Sequence, residues 1–256
     1  MSKAARTAVD VAFDVIYNDE LLRISHSGND AAPHVVAFTG IGMGLQGIQT
    51  EEFRKTIDSG PNYQATYVID KTRSWYNATY DEIREQLAPL CAASPRVTTL
   101  GNSMGGYGAF YCAGSIPNCD RAIAFAPQFS VHPDLFPPSD TRWAEHRARI
   151  ARHLRGHALE HPSPDIDYVA FFGGGSDREL EHARRLAGVA TGRTHIFIVR
   201  NCEHDVAATV KQAGALPALL DLLLSGNAFR PGQVAQLLRG AGLTINRMSN
   251  RASVSD

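Results

Sequence analysis

Short apolar runs recur at residues 34–39, 67–70, 97–100, 121–126, 168–172 and 194–199, with helix-spaced segments between them. Runs this short, closed off by glycine or charged residues, read as strands buried on both faces. The segments at 51–58, 80–90, 107–114, 178–187 and 206–224 read as helices; at 80–90, Ile83, Leu87 and Leu90 share one face. The alternation predicts an α/β fold with a mainly parallel central sheet and helices on both faces. Residues 11–17 and 21–25, separated by the turn signal Asn18-Asp19-Glu20, predict a leading hairpin that adds an antiparallel edge. No repeat or low-complexity linker divides the chain, so residues 1–256 read as one domain.

Composition removes several function classes. Lys+Arg number 25 and Asp+Glu 26, a formal charge of -1, so the global field that non-specific nucleic-acid binding uses is missing. The apolar set makes up 44% of the chain, which excludes disorder as its overall state. Cys91, Cys112, Cys119 and Cys202 form no CxxC pair and read as reduced thiols, most of them filling the core. The apolar stretch at 215–224 is broken by Pro217 and Asp221, too short a run to span a bilayer. Residues 1–14 carry Lys3, Arg6, Asp10 and Asp14 and lack a signal-peptide core. The expectation is a cytoplasmic protein without membrane insertion or nucleic-acid partner.

Two stretches break the alternation. Residues 127–167 lie between two strands and are rich in Pro, His and Arg; their centre, 142–159, reads as a helix. A connection of this length is expected to be a long surface excursion or a small lid. As a lid it would present Arg147, Arg149 and Arg152 and favour substrates bearing an anionic group. After residue 226 a helix is expected at 232–238, then a mobile polar tail over 249–256.

The chemistry centres on Gly101-Asn102-Ser103-Met104-Gly105. A G-x-S-x-G run directly after a strand and before a helix is a nucleophile elbow, in which small flanking residues permit a sharp, strained turn. The turn exposes the Ser103 hydroxyl and aims the Met104 N–H at a developing oxyanion. A serine nucleophile needs a base and an orienting acid. Among ten histidines, His204 follows the last strand, on the edge where partner groups converge. The acid should follow the preceding strand, where Asp177 stands on a glycine-rich turn, with Glu179 as runner-up. The second oxyanion donor is expected from the loop Gly40-Ile41-Gly42-Met43-Gly44, at Ile41 or else Gly42. Trp75, Tyr76 and Tyr107 are candidates to line a substrate pocket, against core packing as the plainer reading. The histidines show no H-E-x-x-H spacing, so no metal is called for.

Together these residues resemble the α/β-hydrolase superfamily. The chain order Ser103, Asp177, His204 matches that fold's order of nucleophile, acid and histidine. The run Ser103-Met104-Gly105-Gly106-Tyr107-Gly108-Ala109 looks like the elbow of esterase-D-type and mycolyltransferase-type members. Asn102 departs from the His or Leu commoner before the nucleophile, and Thr39-Gly40 departs from the frequent His-Gly. The resemblance implies a serine hydrolase that acts on a carboxylic ester through an acyl-enzyme and uses no cofactor. Its substrate would be a small molecule or an acyl-carrying one. The same triad would serve an acyltransferase or thioesterase, and a non-catalytic binding scaffold is the alternative from another class.

Overall fold

The computed structural model describes residues 13–28, 32–42, 46–59, 63–226 and 228–248. The hairpin is formed by β1 (Phe13–Asn18) and β2 (Leu22–Ser27), paired antiparallel with an irregularity between Val15 and Tyr17. Asp19 makes the turn, its Oδ1 accepting the N–H groups of Leu21 and Leu22 at 2.8 and 2.7 Å. This is the local side-chain-to-backbone bonding that places Asp in turns.

The remaining strands are β3 (His34–Phe38), β4 (Gln64–Asp70), β5 (Val97–Asn102), β6 (Cys119–Phe125), β7 (Asp167–Gly173), β8 (Thr194–Val199) and β9 (Ile245–Met248). Among the described residues they form one sheet in the order β1-β2-β4-β3-β5-β6-β7-β8-β9. From β4 through β8 all neighbours are parallel, and a parallel sheet of this kind is covered on both faces. β9 is an addition to the expected elements; it pairs antiparallel with β8 at the sheet edge.

Helices cover both faces. On one side α2 (Tyr80–Ala92), α3 (Met104–Ala113) and α5 (Asp177–Gly188) pack on a core with Phe38, Tyr76, Leu87, Phe110 and Leu186. On the other, α1 (Arg54–Asp58), α6 (Val206–Gln212), α7 (Leu216–Leu224) and α8 (Pro231–Gly240) enclose Leu100, Phe125, Phe171, Val210 and Leu220. The single helix expected at 206–224 is two, bent by 112°. Gly214, at φ +71°, breaks it, and Pro217 sits in the first turn of the second piece. Among the described residues no single helix is long and apolar enough to cross a membrane.

The excursion between β6 and β7 contains only the short α4 (Ala144–Ala148), not a helix over 142–159. Beyond Arg149 other partners take the chain off a helical path. The Leu154 N–H donates to Asn77 Oδ1 at 3.1 Å, Arg155 donates to the Tyr111 carbonyl and the Tyr80 hydroxyl, and the Ala158 N–H donates to the Phe129 carbonyl. Val131, Ala158, Leu159 and Ile166 are buried in the core beneath it. Arg147, expected on an open positive face, lies over the Phe136 ring at 3.5 Å and donates to the Arg142 carbonyl. The expected tail, 249–256, and the first residues of the hairpin run, Val11 and Ala12, lie outside the described residues.

Candidate active site

The parallel strands end on one edge, and each delivers a component there. β5 runs straight into Ser103, whose backbone at φ 57°, ψ -121° is a strained, left-handed turn held by the Ser103 N–H donating to the Phe125 carbonyl at 2.8 Å. Such a conformation in a non-glycine residue costs about 1–3 kcal/mol and persists only where its surroundings enforce it. The enforcement is steric. A side chain on Gly105 would collide with the Phe38 carbonyl, and one on Gly101 with the Gly105 carbonyl, so α3 starts hard against the sheet. Met104, the first residue of α3, has one of the N–H groups that lie beyond the reach of intrahelical acceptors.

His204 follows β8. Its Nε2 lies 2.8 Å from Ser103 Oγ and its Nδ1 lies 2.9 Å from Glu179 Oε1. An ionised carboxylate only accepts, so Nδ1 carries the proton and Nε2 accepts from the serine hydroxyl. Ser103 and His204 are therefore brought together as expected, but the carboxylate at the histidine is Glu179 and not Asp177. Asp177 opens α5 and is exposed, whereas Glu179 is 1% exposed. Helical rotation of about 100° per residue puts positions two apart on different faces, so only one of them can point inward. The signal for this is in the sequence. Glu179, His182, Ala183 and Leu186 fall at i, i+3, i+4 and i+7, and all are buried. A carboxylate on an otherwise inward stripe needs a partner there.

Glu179 has a second partner. Arg142 Nη2 donates to Glu179 Oε1 at 2.9 Å and to Asp140 Oδ2 at 2.6 Å, while Arg142 Nε donates to Asp140 Oδ1 at 2.8 Å. Burial opposes the ionisation of Glu179, but the His204 hydrogen bond and the charges of His204 and Arg142 outweigh it and hold its carboxyl below the usual range.

The loop after β3 forms the facing wall. The Gly40 N–H donates to Glu52 Oε1 at 3.0 Å, Gln49 Nε2 donates to the Gly40 carbonyl at 3.1 Å, and Arg73 Nε donates to the Ile41 carbonyl at 3.1 Å. With the Gly40 N–H so occupied, Ile41 and Gly42 are the other described residues of the expected loop that line the cavity, while Met43 and Gly44 lie outside the described residues. That cavity, about 210 Å³, is lined by Ile41, Gly42, Ile48, Glu52, Asn102 and Trp143 around Ser103 and His204. A larger one, about 390 Å³, lies by Leu222 and Phe229 and holds none of these groups. Glu52 and Trp143 are additions to the expected site residues. Burial pushes the Glu52 carboxyl up to about 7, against the Gly40 N–H, which lowers it.

Trp75, Tyr76 and Tyr107 are fully buried beneath the site and do not line this cavity. Trp75 Nε1 donates to Gln128 Oε1 at 2.9 Å, the Tyr76 hydroxyl donates to the Thr39 carbonyl at 2.6 Å, and Tyr107 stacks on Tyr111. Each ring finds its polar or aromatic partner inside the core, which is the packing reading of these residues. Among the described residues no group of three or more His, Cys, Asp or Glu is placed to hold a metal ion.

The fold is shared by solved structures at low identity. Thermogutta terrifontis esterase 2 phosphonylated by sarin is 14% identical with a TM-score of 0.57, over 89% of this chain and all of that one. The same species' esterase with butyrate bound is 15% identical with a TM-score of 0.53, over 86% and 96%. Pyrococcus horikoshii acylaminoacyl peptidase is 13% identical with a TM-score of 0.56, over 90% of this chain and 44% of that one. No curated protein matches the sequence. The model of the Esterase family matches residues 44–183, more than half of the chain and inclusive of both the elbow and Glu179. The mainly parallel sheet, the elbow after β5 and this family match together place the chain in the Esterase family of the α/β-hydrolase superfamily.

Proposed function

We propose that this protein is a serine hydrolase that cleaves short-chain carboxylic esters through an acyl-enzyme, with Ser103 as nucleophile, His204 as base and Glu179 as acid. The observation that carries the reading is the unbroken run of contacts from Ser103 Oγ through His204 to Glu179, at 2.8 and 2.9 Å. Ser103 Oγ attacks the acyl carbonyl as His204 Nε2 takes its proton. Glu179 holds the Nδ1–H and stabilises the imidazolium. The Met104 N–H and the Ile41 N–H, with Gly42 beside it, receive the oxyanion. Loss of one such donor costs about 3–4 kcal/mol. His204 then protonates the leaving alcohol, and water, activated by the same imidazole, releases the acid.

Acyl length follows from space. At roughly 30 Å³ per water, the cavity holds about seven water volumes, which suits an acyl group of a few carbons against Ile41, Ile48 and Trp143. The Thermogutta esterase with butyrate bound is consistent with that size. A fluorophosphonate probe is expected to label the protein once, as sarin phosphonylates the Thermogutta esterase, and Ser103→Ala is expected to abolish labelling without a fall in melting temperature. Glu179→Gln is expected to lower kcat by about 10⁴ while Asp177→Asn leaves it within twofold. Persistent labelling of Ser103→Ala, or the reverse order of the two acid variants, would remove the assignment.

A further inference from the structure

The excursion reaches the reaction centre at three side chains: Gln128, whose Nε2 donates to Ser103 Oγ at 3.4 Å, Trp143 in the cavity wall, and Arg142, which alone of the three bonds Glu179. Its guanidinium bridges two carboxylates, with Asp140 on one side through two hydrogen bonds and Glu179 on the other through one. All three are withdrawn from solvent: the side chains of Asp140, Glu179 and Arg142 are 0%, 1% and 15% exposed. Asp140 is anchored in turn by His182, whose Nε2 lies 3.0 Å from Asp140 Oδ2 and whose Nδ1 accepts the Phe129 N–H at 3.0 Å. That acceptor bond fixes the neutral tautomer of His182, with its proton on Nε2 toward Asp140.

The charges then add up to a specific state. Two carboxylates and one guanidinium leave a single net negative charge facing His204 at rest. When His204 takes the serine proton, the group becomes neutral. The arrangement therefore matches the imidazolium of the transition state better than the resting imidazole, and such preorganised charge is what stabilises a transition state without reorganisation. Without Arg142 two unshielded buried carboxylates would face the ring and favour its protonation at rest. Without the Asp140 charge, Arg142 would answer Glu179 alone and weaken the base.

Resting on the Ser103–His204–Glu179 reading above, we infer that Arg142, held by Asp140 and His182, is a positioning residue that fixes the Glu179 carboxylate and sets how much of its charge His204 experiences. The other charged or titratable groups around His204 are Glu52 across the cavity, Cys202, Glu203 and Asp205 on its own loop, and Arg147 behind Asp140. They are the same in every variant below, so differences between variants isolate the clamp.

The test is a side-chain NMR titration of His204 together with the pH profile of kcat/KM on a short-chain ester, in the wild type, Arg142→Gln, Arg142→Lys and Asp140→Asn. Arg142→Gln is expected to move the His204 midpoint, and the acid limb of kcat/KM, up by about one pH unit. Asp140→Asn is expected to move both down by a similar amount. Arg142→Lys keeps the charge but not the planar fork, so its midpoint should stay near wild type while kcat falls tenfold or more. If Arg142→Gln does not fold, the downward shift in Asp140→Asn and the split in Arg142→Lys still decide the matter. Shifts of the same sign, or none, would overturn the inference. Opposite shifts in a protein that turns over no ester would instead keep the clamp and remove the esterase reading.

Discussion

Glu52 stands in the wall of the Ser103 cavity with one carboxyl oxygen on the Gly40 N–H, so its charge bears on both the fold and the loop after β3. Burial raises its carboxyl from an ordinary 4.5 to about 7. Between those values the native state holds a proton that the unfolded chain has already released. The unfolded state therefore binds fewer protons, and stability falls as pH rises through this window. Glu52→Gln removes that dependence. The variant is expected to gain stability relative to wild type at pH 8 and to gain none at pH 4.5, read from urea unfolding at both. An equal effect at the two pH values would show that Glu52 ionises normally. Glu179 works in the opposite sense, since its lowered carboxyl stabilises the fold above its ordinary range and loses that contribution on acidification.

At the scale of the elements, the elbow is the most tightly specified joint. Gly105 sits where α3 meets β3, with no room for a methyl group before the Phe38 carbonyl. Gly105→Ala is expected to lose about 3 kcal/mol, the upper part of the range for overpacking, and to lose Ser103 labelling with it. Gly188, the last residue of α5, has nothing within 4 Å of an added Cβ. Gly188→Ala should therefore gain about 0.5 kcal/mol from reduced chain entropy, and the two urea midpoints together check the contrast. These elements also show what was legible in advance. The parallel strands, the elbow and the position of His204 follow from short apolar runs and one motif. Position after a strand favours Asp177, whereas the inward stripe of α5 carries Glu179, the carboxylate that meets His204. β9 was illegible because only Ile245 of its four residues is buried, so no apolar run announces it. Arg142 was hidden for another reason: a residue in a polar excursion acquires its role from a partner 37 positions away.

For the whole molecule, the connection at 127–167 is part of the body of the protein. Phe129, Val131, Ala158 and Leu159 are buried in the same core as α3 and α5, and the Ala158 N–H is bonded to the Phe129 carbonyl. A segment with this much buried apolar surface opens at a free energy near that of global unfolding. The Ala158 amide is therefore expected to exchange with solvent as slowly as the amides of β6 and β7. Exchange a thousandfold faster than theirs would mean that the segment swings open as a lid while the sheet stays intact. Ile48, 64% exposed, stands in the wall of the Ser103 cavity, so on that side the wall meets solvent with no part of the excursion needing to move.

The wide spacing of Ser103, Glu179 and His204 along the chain has a consequence during synthesis. Ser103 and His204 are separated by 101 positions, and Glu179 lies between them in the first turn of α5. At roughly 5–20 residues per second a ribosome needs on the order of 5–20 s to pass from Ser103 to His204. Through most of that interval Ser103 has been made without Glu179, and through all of it without His204. On the proposed assignment of Ser103, His204 and Glu179, the nascent chain is thus silent toward esters until nearly the whole sheet has closed. On that assignment, a chain truncated before His204 is expected to carry no acyl-transfer activity.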